Sequence, residues 1–255
     1  MPNITTALIL AAGPGSRLLP QTADRPKCLT TIAGYPILDY QMAALRRCGI
    51  TDVVIVVGYL AQCIRDAVGD RVTCVDNRDF ATTNSSYSLW LARHHLRRGF
   101  IHLNSDLLFE PRMLQALLDA PAENAVVVER RVRAGSDMMK ATMSGARILT
   151  MGKQLADGVA EVVGPAKFGA DGAACLFEDL DRRVGAGQRS QWAYGVFGEL
   201  AETLSFSGVD NPGCFWAEVD TVADARDAER RIPRRMIDLV APAAGEAGVR
   251  AQVTL

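Results

Sequence analysis

A Rossmann-like, three-layer α/β/α fold with a mostly parallel central sheet is predicted by three observations. Residues 5–12 form a continuous apolar run, the pattern of a strand buried on both faces. Apolar runs of this kind alternate with segments of helical periodicity through about the first 130 residues, which points to helices packed on a largely parallel sheet. A loop rich in Gly and Pro, Gly13-Pro14-Gly15, follows the first run directly.

The elements are read in order. Ile37 to Cys48 carries apolar residues at Ile37, Leu38, Met42 and Leu45, a helical spacing that Gly49 ends. Val53–Val57 is a second buried strand, Leu60–Val68 a helix and Val72–Val75 a short third strand. Ser85–Leu96 is helical, with Leu89, Leu91, Ala92 and Leu96 directed to the core. Phe100–Leu103 is a strand ending at Asn104-Ser105-Asp106. Pro111 opens a helix, and Ala125–Glu129 is a strand. Beyond residue 130 the pattern changes to a smaller elaboration. Short strands at Met139–Met143, Arg147–Met151 and Val159–Val163 precede helices at Ala173–Val184 and Trp192–Leu200. A strand at Trp216–Val219 and a helix at Val222–Arg231 follow, with Pro233 as a break and a loosely held tail from Ala241. One domain over residues 1–255 is expected, divided into 1–130, 131–232 and a tail at 233–255.

The 255 residues are 49% hydrophobic and 22% charged, and 28 Lys plus Arg balance 29 Asp plus Glu to a net charge of -1. This excludes a basic nucleic-acid-binding surface and disorder, and no apolar run reaches the length of a membrane helix. The cysteines Cys28, Cys48, Cys63, Cys74, Cys175 and Cys214 form no C-x-x-C pair, and His94, His95 and His102 give no zinc spacing. Residues 7–12 have no preceding Lys or Arg and run into the glycine loop, so they read as a strand rather than a signal-peptide core. A cytoplasmic protein with reduced thiols is expected.

The glycine loop lacks the third glycine of a dinucleotide fingerprint, since position 18 is Leu18, and it lacks the Gly-Lys-Ser/Thr of a P-loop. Its backbone can still approach an anion closely. Arg17 and Lys27 add cations suited to phosphate oxygens. Asp106 and Asp220 each follow a strand, where ligands gather in open α/β sheets, and two carboxylates there suit a divalent cation. Asp220 is equally placed to cap the next helix, and Glu218 is the rival second ligand. Asn84 and Ser88 lie one helical turn apart. Either they face a ligand together, or Asn84 or Ser85 merely caps the helix.

The run Leu10-Ala11-Ala12-Gly13-Pro14-Gly15-Ser16-Arg17-Leu18, with Pro20, Thr22 and Pro26-Lys27-Cys28-Leu29, resembles the signature of nucleotidyltransferases that activate sugar phosphates and related phosphorylated alcohols. Asn84-Ser85-Ser86-Tyr87-Ser88-Leu89, Asp137-Met138-Met139-Lys140, Gly152-Lys153 and residues 161–168 resemble segments of the choline-phosphate and phosphonate cytidylyltransferases. The resemblance implies a Mg²⁺-dependent transfer of CMP from CTP to a small phosphonate or phosphocholine. It implies catalytic roles for Arg17, Lys27 and Lys153, and metal ligation by Asp106 and Asp220. Nucleotide contacts are implied for Leu10, Ala11, Ala12, Gly13, Gly15, Ser16, Arg17, Lys27, Tyr59, Asn84, Ser88 and Ser105. Acceptor contacts are implied for Lys140, Lys153, Trp192, Trp216 and Glu218. Converging aromatics among Trp192, Tyr194, Phe215 and Trp216 would box a quaternary ammonium by cation–π attraction. A sugar-1-phosphate or inositol-phosphate acceptor, a non-catalytic nucleotide-sensing role, and a homodimer all stay open.

Overall fold

The computed structural model describes residues 4–130, 138–156 and 158–241. Asp137 of the 137–140 motif and the tail at 242–255 lie outside the described residues. The strands are β1 (Thr6–Ala11), β2 (Thr31–Ile32), β3 (Tyr35–Pro36), β4 (Asp52–Val57), β5 (Thr73–Asp76), β6 (Phe100–Asn104), β7 (Leu107–Phe109), β8 (Ala125–Glu129), β9 (Lys140–Ser144), β10 (Arg147–Gly152), β11 (Ala160–Phe168), β12 (Ser207–Asp210) and β13 (Trp216–Glu218). The helices are α1 (Ile37–Arg47), α2 (Ala61–Val68), α3 (Ser85–Leu91), α4 (Pro111–Asp119), α5 (Ala170–Gly185), α6 (Ala193–Glu199), α7 (Val222–Arg231) and α8 (Arg234–Val240).

Nine strands form one sheet in the order β5-β4-β1-β6-β11-β8-β12-β10-β9. The first four are mutually parallel, as is the β12–β8 pair. β11 joins the two halves by running antiparallel to both β6 and β8. β1, β4 and β8 are covered on both faces, which is why they read as apolar runs. Within β1, Leu8 and Leu10 pack in one core layer with Leu89, Leu176 and Phe197, while Ala7 and Ile9 pack in the opposite layer with Leu38, Ile64 and Met113. Each such buried Leu, Ile, Met or Phe side chain contributes about 1.5–3 kcal/mol. A third cluster, including Leu18, Ile37, Tyr40, Val219 and Met236, ties the glycine loop to α7 and α8.

Four departures from the sequence expectation have physical reasons. β11 continues past Val163 because a register shift between Val162 and Ala166 absorbs Gly164, at φ +74°, and Pro165 as a bulge. The helix expected over Ser85–Leu96 ends at Leu91, and its last turn tightens to 3₁₀ at Arg93–His95. β7 and β12 are short strands with little pattern of their own, formed by pairing: β7 with β13, and β12 with β8 and β10. α8 begins directly after Pro233, which ends one helix and starts the next.

α8 is docked through a buried carboxylate. Glu110 is 2% exposed and accepts both Nε (2.7 Å) and Nη2 (2.6 Å) of Arg235, together with the Phe215 N–H at 2.7 Å. The Arg235 hydrogen bonds hold the Glu110 carboxyl below its ordinary value. A depressed carboxylate adds stability above its unfolded-state pKa and loses it as pH falls through the folded value. We therefore expect urea-unfolding stability to fall more steeply on acidification below pH 5 in the wild type than in Glu110→Gln. The difference should be about 1 kcal/mol after screening of the exposed guanidinium, and parallel pH profiles would reject the dock.

Candidate functional site

The chain runs from β1 to β4 and β5 on one side and returns to β6 on the other, so the loops after β1 and β6 diverge. A cleft of about 390 Å³ opens there. Its first wall is the glycine loop. Gly15 adopts φ +60°, and a Cβ at that position would lie 3.0 Å from Lys27 Cβ, so the tight approach of the two segments requires glycine. Thr22 Oγ1 donates to Gly15 O at 3.0 Å, and the buried Leu18 anchors the following turn.

The second wall carries three acids. Asp106 follows β6, and the β7–β13 pairing brings it to Glu218 and Asp220 from more than 110 residues away in sequence. Val219 N–H donates to Asp106 O at 3.0 Å, and the buried Gln41 Nε2 donates to Asn104 O (2.8 Å) and Leu107 O (2.9 Å), bracing the turn. One carboxylate oxygen from each of Asp106, Glu218 and Asp220 lies within 4.8 Å of the others. The cap of α7 is made by Thr221 and Asp224 in a reciprocal capping box, so Asp220 is not used as the cap.

Lys27 Nζ donates to Asp106 at 2.6 Å and to Asp220, and Arg17 Nη2 donates to Asp220 at 2.9 Å. Burial opposes the charge on Lys27, but the Asp106 and Asp220 carboxylates outweigh it and hold the ammonium above its ordinary value. Glu218 faces the open cleft, yet the surrounding protein and the carboxylates of Asp106 and Asp220 push its carboxyl up to about 8. Asp106 Oδ1 is buried and has no hydrogen-bond partner among the described residues. An all-oxygen donor set with one orphaned carboxylate oxygen suits a hard divalent cation such as Mg²⁺.

Leu10, Ala12, Gly13, Gly15, Ser16, Arg17, Lys27, Asn84, Ser88, Ser105, Asp106, Lys153, Trp192, Glu218 and Asp220 all line this cleft. Four expected contacts are not in its lining. Ala11 packs into the opposite core layer, and the Tyr59 hydroxyl braces the loop at Thr22 O (3.1 Å) and Ala23 O (3.2 Å). Lys140 Nζ reaches Leu155 O at 3.4 Å. Trp216, 8% exposed, is buried in the layer with Phe109 and Val163. Trp192 is half exposed, and Lys153 Nζ sits 4.5 Å from its ring centroid, so that face already holds a cation.

Sequence reasoning missed Asn77, Phe80 and Thr83, which also line the cleft, and gave Tyr194 only an uncertain aromatic role. Asn77 Nδ2 donates to Ser88 Oγ (2.9 Å) and Thr83 Oγ1 (3.1 Å). Its position just past β5 was the available signal. Asn84 accepts from Ser85 N–H at 2.7 Å as the cap of α3 while still facing the cleft, so the two readings of this residue are not exclusive.

Residues 7–164 match the model of the MobA-like NTP transferase domain. CMP-5'-(3-aminopropyl)phosphonate synthase of Streptomyces rubellomurinus is 34% identical over 243 residues, covering 88% of this chain and 38% of that protein. Choline-phosphate cytidylyltransferase of Streptococcus pneumoniae is 36% identical over 107 residues, covering 41% of this chain and 46% of that one. These two sequence matches thus cover less than half the length of each relative. The solved structure of the Streptococcus pneumoniae CTP:phosphocholine cytidylyltransferase has the same fold, with a TM-score of 0.77 at 24% identity over 89% of this chain and 99% of that one. With well over half its residues inside the matched region, the chain belongs to the MobA-like NTP transferase domain family.

Proposed function

We propose that this chain is a Mg²⁺-dependent cytidylyltransferase that transfers CMP from CTP to a small phosphonate or to phosphocholine, releasing pyrophosphate. The observation that carries this reading is the meeting, in one cleft, of the glycine loop, the cations Arg17 and Lys27, and the Asp106–Glu218–Asp220 cluster. The similarity to the aminopropylphosphonate and choline-phosphate enzymes supports the choice of nucleotide and acceptor class. The occupied face of Trp192 and the burial of Trp216 favour a phosphonate over a quaternary ammonium. The roles fall to residues 1–130 for the nucleotide and 131–232 for the acceptor within one domain. The reaction is assigned to the cytoplasm, where nucleoside triphosphates are held.

A divalent cation held by Asp106 and Asp220, with Glu218 beside them, would neutralise charge on the phosphate oxygens. Everything else falls to the chain itself. Loop N–H groups, Arg17 and Lys27 bind the triphosphate, and Asn84 and Ser88 face the base. Lys27 must exchange its carboxylate partners for phosphate as the cation arrives. Lys153 holds the α-phosphate or the acceptor. An anionic oxygen of the acceptor forms a bond to the α-phosphorus, the bond from that phosphorus to the bridging oxygen breaks, and pyrophosphate leaves with the electron pair. The acceptor is ionised near neutral pH, since the second pKa of a phosphomonoester is about 6, so no general base is needed. Catalysis then rests on positioning and charge neutralisation.

Incubation with Mg²⁺, each nucleoside triphosphate and a panel of phosphonates and phosphorylated alcohols should release pyrophosphate fastest with CTP and an aminoalkylphosphonate. Silence across the whole panel would sink the enzyme reading in favour of nucleotide sensing. Asp106→Ala should lower kcat by about 10³-fold or more with an unchanged circular dichroism spectrum; wild-type turnover would reject its role. Lys27→Met removes the cation that competes for the carboxylates. Its metal-free melting temperature should therefore drop, by roughly 3 °C for each kcal/mol lost. Added Mg²⁺ should stabilise it more than it stabilises the wild type. An equal or smaller Mg²⁺ shift would show that Lys27 does not occupy the metal's carboxylates.

A further inference from the structure

His102 lies in β6, the strand whose end carries Asp106, and it is fully buried. Its Nδ1 is 3.3 Å from Tyr194 Oη, and its ring packs edge-on against Tyr194 and Phe197 at centroid distances of 5.1 and 5.3 Å. Its Nε2 is buried and has no hydrogen-bond partner among the described residues. Burial pushes the imidazole down to about 3, so it is neutral, with one ring nitrogen carrying a proton and the other a lone pair. The two tautomers differ in what they strand. If Nδ1 accepts from Tyr194, Nε2–H is an orphaned buried donor. If Nδ1–H donates to Tyr194, only a lone pair is left over. Orphaned buried N–H groups are rare, and under-satisfied acceptors are better tolerated.

The strand beside β6 is shaped around the same hydroxyl. Gly164 of β11 sits in the bulge at φ +74°, and a Cβ there would lie 2.8 Å from Tyr194 Oη. Two buried polar groups and a glycine-only bulge are a costly way to fill space. Apolar side chains at positions 102 and 194 would fill this space without a desolvation penalty. The Tyr194 side chain lines the cleft, close enough to Glu218 and Asp106 to feel their charges.

We infer that His102 is a positioning residue: its Nδ1–H fixes the Tyr194 hydroxyl as a hydrogen-bond donor aimed into the cleft, toward an anionic oxygen of the ligand bound beside Glu218 and Lys153. That the ligand is the phosphonate or phosphate acceptor rests on the cytidylyl-transfer reading; the tautomer does not. A donor suits this place. The neighbouring groups are carboxylates, and a phenol presenting only lone pairs would repel an incoming oxyanion.

The first test uses the unliganded full chain, uniformly ¹⁵N-labelled. Imidazole ¹⁵N shifts should show His102 protonated at Nδ1 and bare at Nε2, unchanged from pH 6 to 8. Protonation at Nε2 overturns the inference whatever the activity proves to be. The second test is steady-state kinetics. Tyr194→Phe and His102→Phe should each raise the acceptor KM about tenfold, as loss of one hydrogen bond to a charged group does, with the CTP KM unchanged. His102→Asn, whose amide can still donate, should stay within about threefold of wild type. An unchanged acceptor KM in His102→Phe also overturns it. If the wild type turns over no acceptor, the cytidylyl-transfer reading fails, and the ¹⁵N result still decides the His102 assignment.

Discussion

Three carboxylates held within 4.8 Å of one another impose the constraint on which the cleft depends. At that separation and an effective dielectric near 20, each ionised pair repels by about 3 kcal/mol. The chain cannot relieve this by letting the acids drift apart. The β7–β13 pairing, the Val219–Asp106 hydrogen bond and the buried Gln41 brace all fix the backbone beneath them. Two things relieve it: the raised Glu218 carboxyl keeps its proton near neutral pH, and Lys27 supplies a positive charge to Asp106 and Asp220. Lys27 reaches the acids only because Gly15 leaves room for its Cβ. The glycine loop and the acidic cluster are thus one assembly, in which the loop's glycine sets the position of the cluster's counter-ion. The near-zero net charge of 28 Lys plus Arg against 29 Asp plus Glu averages away this local pairing, in which Arg17 and Lys27 sit where acids are densest.

Which parts of this were legible in the sequence follows from what each segment depends on. The central strands β1 and β4 were readable because burial on both faces forces continuous apolar runs, as in Leu8-Ile9-Leu10 and Val53–Val57. The position of Asp106 past the end of β6 was readable for the same reason, whereas Asp220 follows β13, a short antiparallel strand with an exposed Glu218. β7 was not, because three residues with no independent pattern become a strand only opposite β13. The end of β11 was hidden by Gly164-Pro165, a pair that reads as a turn and is in fact a bulge. Lys140 belongs to a recognisable motif and Trp216 opens the strand before Asp220, yet packing sends the indole into the core and the ammonium toward Leu155 O. His102 is the limiting case. Its place in an apolar strand implies burial, but the phenol it meets is 92 residues away.

The reversal of strand direction at β11 decides how the two halves of the cleft differ. On the β1 side, loops leave the carboxyl ends of parallel strands, so backbone N–H groups and short polar side chains converge on one crevice. That geometry suits a phosphate chain and depends little on side-chain identity beyond Gly15, Arg17 and Lys27. On the other side, β11 arrives from the opposite direction and presents strand sides rather than loop ends: Glu161, Val162, Val163 and Gly164, backed by Trp192 and Tyr194 of the α6 region. A wall made of side chains can change its chemistry residue by residue without disturbing the backbone that holds the acids. On the cytidylyl-transfer reading we propose, specificity for an acceptor is therefore expected to reside in β11, α6 and Lys153, while the triphosphate side stays tied to the fold. The β11 bulge is where the two requirements meet. There Gly164, at φ +74°, leaves room for the Tyr194 hydroxyl, which lies close enough to Glu218 and Asp106 to feel their charges.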